Sequence, residues 1–63
     1  MEVGRNIKFK REAAGLTQEE LAKKVGVTAA MICQIERGTK NPSLQVGTLI
    51  AEALGCDVAE LTR

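Results

Sequence analysis

Apolar residues recur along this chain three and four positions apart, in short runs that a glycine or a capping residue soon interrupts. An α-helix turns about 100° per residue, so this spacing collects them on one helical face. Val3, Ile7, Arg11 and Ala14 form the first such stripe and predict a helix from about Val3 to Ala14, with Gly15 as a left-handed stop. Phe9 falls well off the stripe. Thr17 followed by Glu20 reads as a capping box for a second helix, whose inner side is Leu21, Ala22 and Val25 and which Gly26 breaks after two turns. Thr28 caps a third helix that runs to about Arg37 before Gly38. Met31, Ile32 and Ile35 gather on its inner side, and Ala29, Ala30, Cys33, Gln34 and Arg37 on its outer side.

Pro42 cannot continue a helix, and Ser43 caps a fourth that spans about Leu44 to Leu54 and stops at Gly55. Leu44, Val46, Leu49, Ile50, Ala51, Ala53 and Leu54 make it apolar round most of its circumference, so it is expected to be the central element. Gly47 in its middle weakens a helix by up to about 1 kcal/mol and points to a close approach by a neighbouring backbone. Asp57 caps a last short helix from Val58 to about Thr62, with Val58 and Leu61 facing inward. The expected fold is all-α, a compact five-helix bundle that forms a single domain over residues 1–63.

Composition narrows the picture further. Phe9 is the only aromatic while 44% of the chain is hydrophobic, so the core is built from Ala, Val, Leu, Ile and Met, which suits packed helices. No apolar run approaches the roughly 20 residues of a membrane span, and no basic-then-apolar leader is visible, so a cytoplasmic location is expected. Cys33 and Cys56 are far apart and the chain has no His, which argues against a zinc site and for two ordinary thiols. With no His, no clustered carboxylates and no nucleotide loop, no acid-base pair or activated nucleophile can be assembled, and neither an enzyme nor a cofactor is expected. The net charge of +1 is uninformative, but residues 1–40 hold eight Lys/Arg against five Asp/Glu and residues 41–63 hold one against three. The front of the chain carries the positive charge.

The pale outer face of the third helix then stands out. A helix with a strong inner face normally covers its outer face with Glu and Lys, and this one offers two alanines, a cysteine and an amide. Two short helices joined by Gly26-Val27-Thr28, the second with a solvent-facing side, form a helix-turn-helix. The residue order is more specific. Gly15-Leu16-Thr17-Gln18, Leu21-Ala22, Gly26, Ile35-Glu36-Arg37-Gly38, Asn41-Pro42-Ser43-Leu44 and Ala53-Leu54-Gly55 together resemble the Cro/C1-type helix-turn-helix family, the lambdoid phage repressors and their bacterial relatives.

That resemblance implies a sequence-specific transcriptional regulator, acting as a repressor, whose third helix enters the major groove of double-stranded DNA. It places Gln18 at a position that holds a phosphate with its side chain and its N–H. Thr28 is a cap whose neighbouring N–H groups face a second phosphate. Ala29, Ala30 and Gln34 match positions that meet base edges, with Cys33 on the same face. Alanine methyls suit the thymine methyl group, and Gln34 suits adenine N6 and N7. Relatives often carry longer amides at the first of these positions, so direct readout is thin and DNA shape is expected to contribute. Arg37, Thr39, Lys40 and Asn41 match a loop that follows the DNA backbone. Each polar member has a plainer reading as ordinary solvated surface, and Cys33 as a small residue at a tight surface or as a thiol whose oxidation would block the groove.

The same resemblance pairs Arg11 with Glu36 in a salt bridge between the first and third helices. It also implies a homodimer on a pseudo-palindromic operator, joined through Cys56, Asp57, Val58 and the last helix. Lys10 replaces a common Leu, and its stem is expected to cover apolar surface while its charge reaches out. The alternative function is a protein-interaction module on the same fold, antitoxin-like or coactivator-like, favoured by outward Phe9 and the weak basic charge.

Overall fold

Capping residues set the start of each helix after the first. The computed structural model describes residues 3–62, with α1 at Val3–Ala13, α2 at Gln18–Val25, α3 at Ala29–Arg37, α4 at Leu44–Leu54 and α5 at Val58–Leu61. Among the described residues there is no strand. The first and last helices each end one residue before the expected position, and the other three have the expected span. Thr17 Oγ1 accepts the Glu20 N–H at 3.0 Å while Glu20 reaches back to the Thr17 N–H at 2.8 Å, completing the capping box. Ser43 Oγ accepts the Val46 N–H at 3.1 Å. At α5 the carboxylate of Glu60 caps the Asp57 N–H at 3.1 Å.

The core consists of Ile7 from α1, Leu21, Ala22 and Val25 from α2, Ile32 and Ile35 from α3, Ile50 and Ala51 from α4, and Leu61 from α5. α3 packs on both α1 and α2, α4 closes over α2, and α5 fastens onto α1 and α4. Asn6 holds that last junction through a 2.8 Å hydrogen bond from its Nδ2 to the Leu61 carbonyl. Lys10 adds an ion pair to Glu60 at 3.1 Å, so its charge reaches a specific partner rather than open solvent.

Two expectations about α4 are corrected. It is a flank, not the centre: Leu44 is 81% exposed and Leu49 is 37% exposed, and Ile50 and Ala51 are its only residues in the buried core. A wide apolar arc records what a helix can bury, and neighbours cover only part of this one. Gly47 has no neighbouring backbone near it, since a Cβ there would meet nothing within 4 Å. The close approach lies at Gly4 instead, where a Cβ would collide with the carbonyl oxygen of Ile35 and lie 2.8 Å from that of Glu36. Gly4 therefore lets the start of α1 rest directly on the end of α3.

Candidate nucleic-acid interface

The turn between α2 and α3 has little slack. Gly26 adopts φ 87°, in the left-handed region that favours glycine, and its N–H returns to the Ala22 carbonyl at 2.8 Å. The Val27 N–H bonds to the same carbonyl at 3.0 Å, and the half-buried Val27 side chain packs against the core. Thr28 Oγ1 then accepts the Met31 N–H at 3.1 Å. These bonds close the end of α2 and cap one N–H at the start of α3, so the turn holds α3 at a fixed angle while the first N–H groups of α3 stay open.

The rotation of α3 agrees with its apolar pattern. Ile32 and Ile35 are 0% and 1% exposed, and Met31 is half-buried against the core. Ala30, Gln34 and Arg37 are exposed and form the outward stripe. Cys33, about 60° round from Ala30, is half-buried and is not among the side chains packed on the core. Ala29, about 100° round from Ala30, is corrected: it is half-buried and packs on the core, at the edge of the outward face rather than within it. The first turn of α3 carries no acid, whereas that of α2 carries Glu19 and Glu20. An anion therefore meets the positive end of the α3 dipole without a carboxylate beside it.

The loop after α3 is tied back to it. The N–H and Oγ1 of Thr39 donate to the Gln34 carbonyl at 3.0 and 3.1 Å, and the Lys40 N–H joins them at 3.3 Å. The Thr39 hydroxyl hydrogen is thus committed to the end of the helix. Arg37, Lys40 and Asn41 remain exposed, and neither cation has an ion pair among the described residues.

Beneath this surface lies a buried polar cluster. Arg11 Nε donates to Glu36 Oε2 at 2.6 Å, its Nη2 to Glu36 Oε1 at 3.1 Å and its Nη1 to the Leu16 carbonyl at 2.7 Å. The two side chains are 9% and 2% exposed, so the expected pair is present and largely dry. Hydrogen bonding to Glu36 raises the Arg11 pKa further, against the opposing effect of burial. Gln18, half-buried at the start of α2, joins through Nε2 to Glu36 Oε1 at 3.0 Å. Sequence reasoning missed this last bond. The partners are 18 positions apart, and only the packing of α2 on α3 brings them together.

Cys33 and Cys56 are both free thiols. Cys56 and Val58, expected on one surface, face different neighbours. Cys56 borders a depression with Phe9, Lys10, Ala13 and Glu60, and Val58 lines a groove with Val3, Leu44 and Leu61. Burial, and secondarily Glu60, raises the Cys56 pKa. No group of three or more His, Cys, Asp or Glu placed to hold a metal ion occurs among the described residues.

Two short helices joined by a tight turn are the arrangement for which the matching family is named: HTH_3, helix-turn-helix, matches residues 7–61. The chain belongs to this family. An HTH-type transcriptional regulator of Methanothermobacter thermautotrophicus, itself uncharacterised, is 51% identical over 49 residues, covering 78% of this chain and 71% of that protein. The restriction-modification controller protein C.AhdI from Aeromonas hydrophila superposes with a TM-score of 0.92 at 35% identity, over 95% of this chain and 91% of its own. The P22 c2 repressor, solved in complex with a synthetic operator, superposes with a TM-score of 0.92 at 30% identity, over 97% of this chain and 92% of its own.

Proposed function

We propose that this HTH_3 protein is a sequence-specific DNA-binding transcriptional regulator, acting as a repressor, that presents α3 to the major groove as a single domain. The observation that carries this reading is the outward stripe of Ala30, Gln34 and Arg37, held by a tightly bonded, capped turn and continued by exposed Lys40 and Asn41. Small side chains let the helix axis come close to the bases. Gln34 supplies donor and acceptor for an adenine edge, Arg37 and Lys40 supply charge for phosphates, and Cys33 and Ala29 border the stripe. Thr28 and Gln18 stand at the starts of α3 and α2, where unpaired N–H groups suit phosphate oxygens. The Thr39 hydroxyl, already donating to Gln34, meets the backbone only as an acceptor or through its place in the loop. The P22 c2 repressor bound to its operator supports the reading by its likeness. No helix among the described residues is long and apolar enough to cross a membrane, and we place the protein in the cytoplasm with the DNA.

Homodimerisation on a pseudo-palindromic operator belongs to the same reading, because one recognition helix spans few base pairs. Of the expected surface, Cys56, Asp57, Val58 and α5, we favour the Val58 side. There Val3, Ile7, Leu44, Val58 and Leu61 line an apolar groove of about 410 Å³, with Leu44 81% exposed.

The test is selection of bound fragments from random duplex DNA, with a mobility-shift titration across salt. Non-specific binding at about 10⁻⁴–10⁻⁶ M that weakens steeply with salt is expected, together with an enriched two-fold-symmetric sequence. No binding at low salt would overturn the reading in favour of a protein partner, for which Phe9, 71% exposed, is the anchor.

A further inference from the structure

We propose that Glu36 is a positioning residue for DNA: its buried carboxylate holds the Gln18 amide so that the free N–H of that amide meets a backbone phosphate at the start of α2. This rests on the DNA-binding reading above. Glu36 Oε1 accepts Gln18 Nε2 at 3.0 Å and Arg11 Nη2 at 3.1 Å, and its side chain is 2% exposed. An ionised carboxylate only accepts hydrogen bonds, so it selects which end of the Gln18 amide turns inward, and that end is the NH₂. A phosphate is also acceptor-only. The nitrogen that Glu36 fixes therefore has one hydrogen left for the phosphate, and the amide is already in the orientation the phosphate requires.

Arg11 makes the arrangement tolerable for DNA. Its guanidinium, bonded to both carboxylate oxygens and to the Leu16 carbonyl, neutralises Glu36 before a phosphate approaches. Glu20, in the same turn as Gln18, has its carboxylate turned back onto the Thr17 N–H at 2.8 Å, and Glu19 is exposed. The Gln18 side chain thus loses its rotamer freedom during folding and not during binding.

The experiment is a double-mutant cycle in binding to a mixed-sequence DNA duplex, since a phosphate contact is indifferent to sequence. One arm is Gln18→Ala. The other is the paired change Arg11→Met with Glu36→Met, which keeps apolar packing, leaves net charge unchanged and removes the acceptor. The paired change is expected to weaken binding by roughly two- to tenfold when Gln18 is present and to have no such effect when it is already Ala. Equal losses in both backgrounds would overturn the proposal while leaving DNA binding intact. Should the paired variant fail to fold, side-chain ¹⁵N relaxation on the free wild-type protein still decides. The Gln18 NH₂ is expected to be nearly as ordered as the backbone, and mobility equal to that of exposed Gln45 would overturn the proposal without DNA. Absence of salt-sensitive binding by the wild type would remove the DNA reading and this inference together.

Discussion

Replacing Gly4 and Gly47 by alanine, one at a time, separates what a helix prefers from what its surroundings allow. Gly47 lies in the middle of α4, where alanine is favoured intrinsically by about 0.5–1 kcal/mol, and Gly4 is the second residue of α1, where that preference is smaller. At Gly47 nothing lies within 4 Å of the added methyl, so that preference is expected in full. At Gly4 the methyl would overlap the Ile35 carbonyl oxygen and sit 2.8 Å from that of Glu36. Both are backbone atoms of α3 that cannot rotate away, so the helices must separate. Overpacking of this kind costs typically about 1–3 kcal/mol, which outweighs the small helical gain in a first turn, so Gly4→Ala should be net destabilising by about 1–2 kcal/mol. In a domain of this size 1 kcal/mol shifts the midpoint by roughly 4–8 °C. Melts followed by circular dichroism should therefore place Gly4→Ala below the wild type and Gly47→Ala above it, several degrees apart. A raised midpoint for Gly4→Ala would refute the contact between α1 and α3, and with it the frame that aims the recognition helix.

Other outcomes follow from single contacts. Glu36→Ala leaves the Arg11 charge buried without its carboxylate and should cost about 3–5 kcal/mol, while the paired change to Met stays near the wild type; equal melting midpoints for wild type and Glu36→Ala would remove the pair from the argument. Gln34→Ala should cost about 1–3 kcal/mol on the selected operator and relax preference at one base pair per half-site, a role refuted if the ranking of operator variants is unchanged. Lys40→Ala should weaken all sequences alike and reduce the salt slope by about one unit. Cys33 should react with an alkylating agent in the free protein and be shielded by DNA, and resistance until denaturant is added would mean that α3 is rotated differently. The raised pKa of folded Cys56 keeps it protonated where the unfolded thiol ionises. Its stabilising contribution is whole below the unfolded pKa of about 8.5 and is lost as pH rises through the folded value, so Cys56→Ala should flatten the alkaline decline in stability seen in denaturant titrations.

The helices and their ends were legible because caps and left-handed glycines act within a few residues. Thr17 with Glu20, Thr28 and Ser43 each close a bond three positions on. Arg11 was legible because it falls on the inner edge of its helix and the family resemblance pairs it with Glu36. The outward stripe of α3 could be read from its period, apart from Ala29, which lies so near the boundary of the face that the packing of neighbours decides its burial.

By itself, then, the order of residues determined local matters: which segments are helical, where each stops, and which side of α2 and α3 is apolar. These depend on backbone torsions and bonds between near neighbours, which the chain specifies wherever it lies in space. Only the tertiary structure decided how much of the apolar arc of α4 is covered, that Gly4 and not Gly47 admits a neighbour, and that Gln18 reaches Glu36. It also put Cys56 and Val58 against different neighbours. Each of these depends on surfaces far apart along the chain, and their meeting is set by how five helices fill one core at once, a condition that no short stretch of sequence carries.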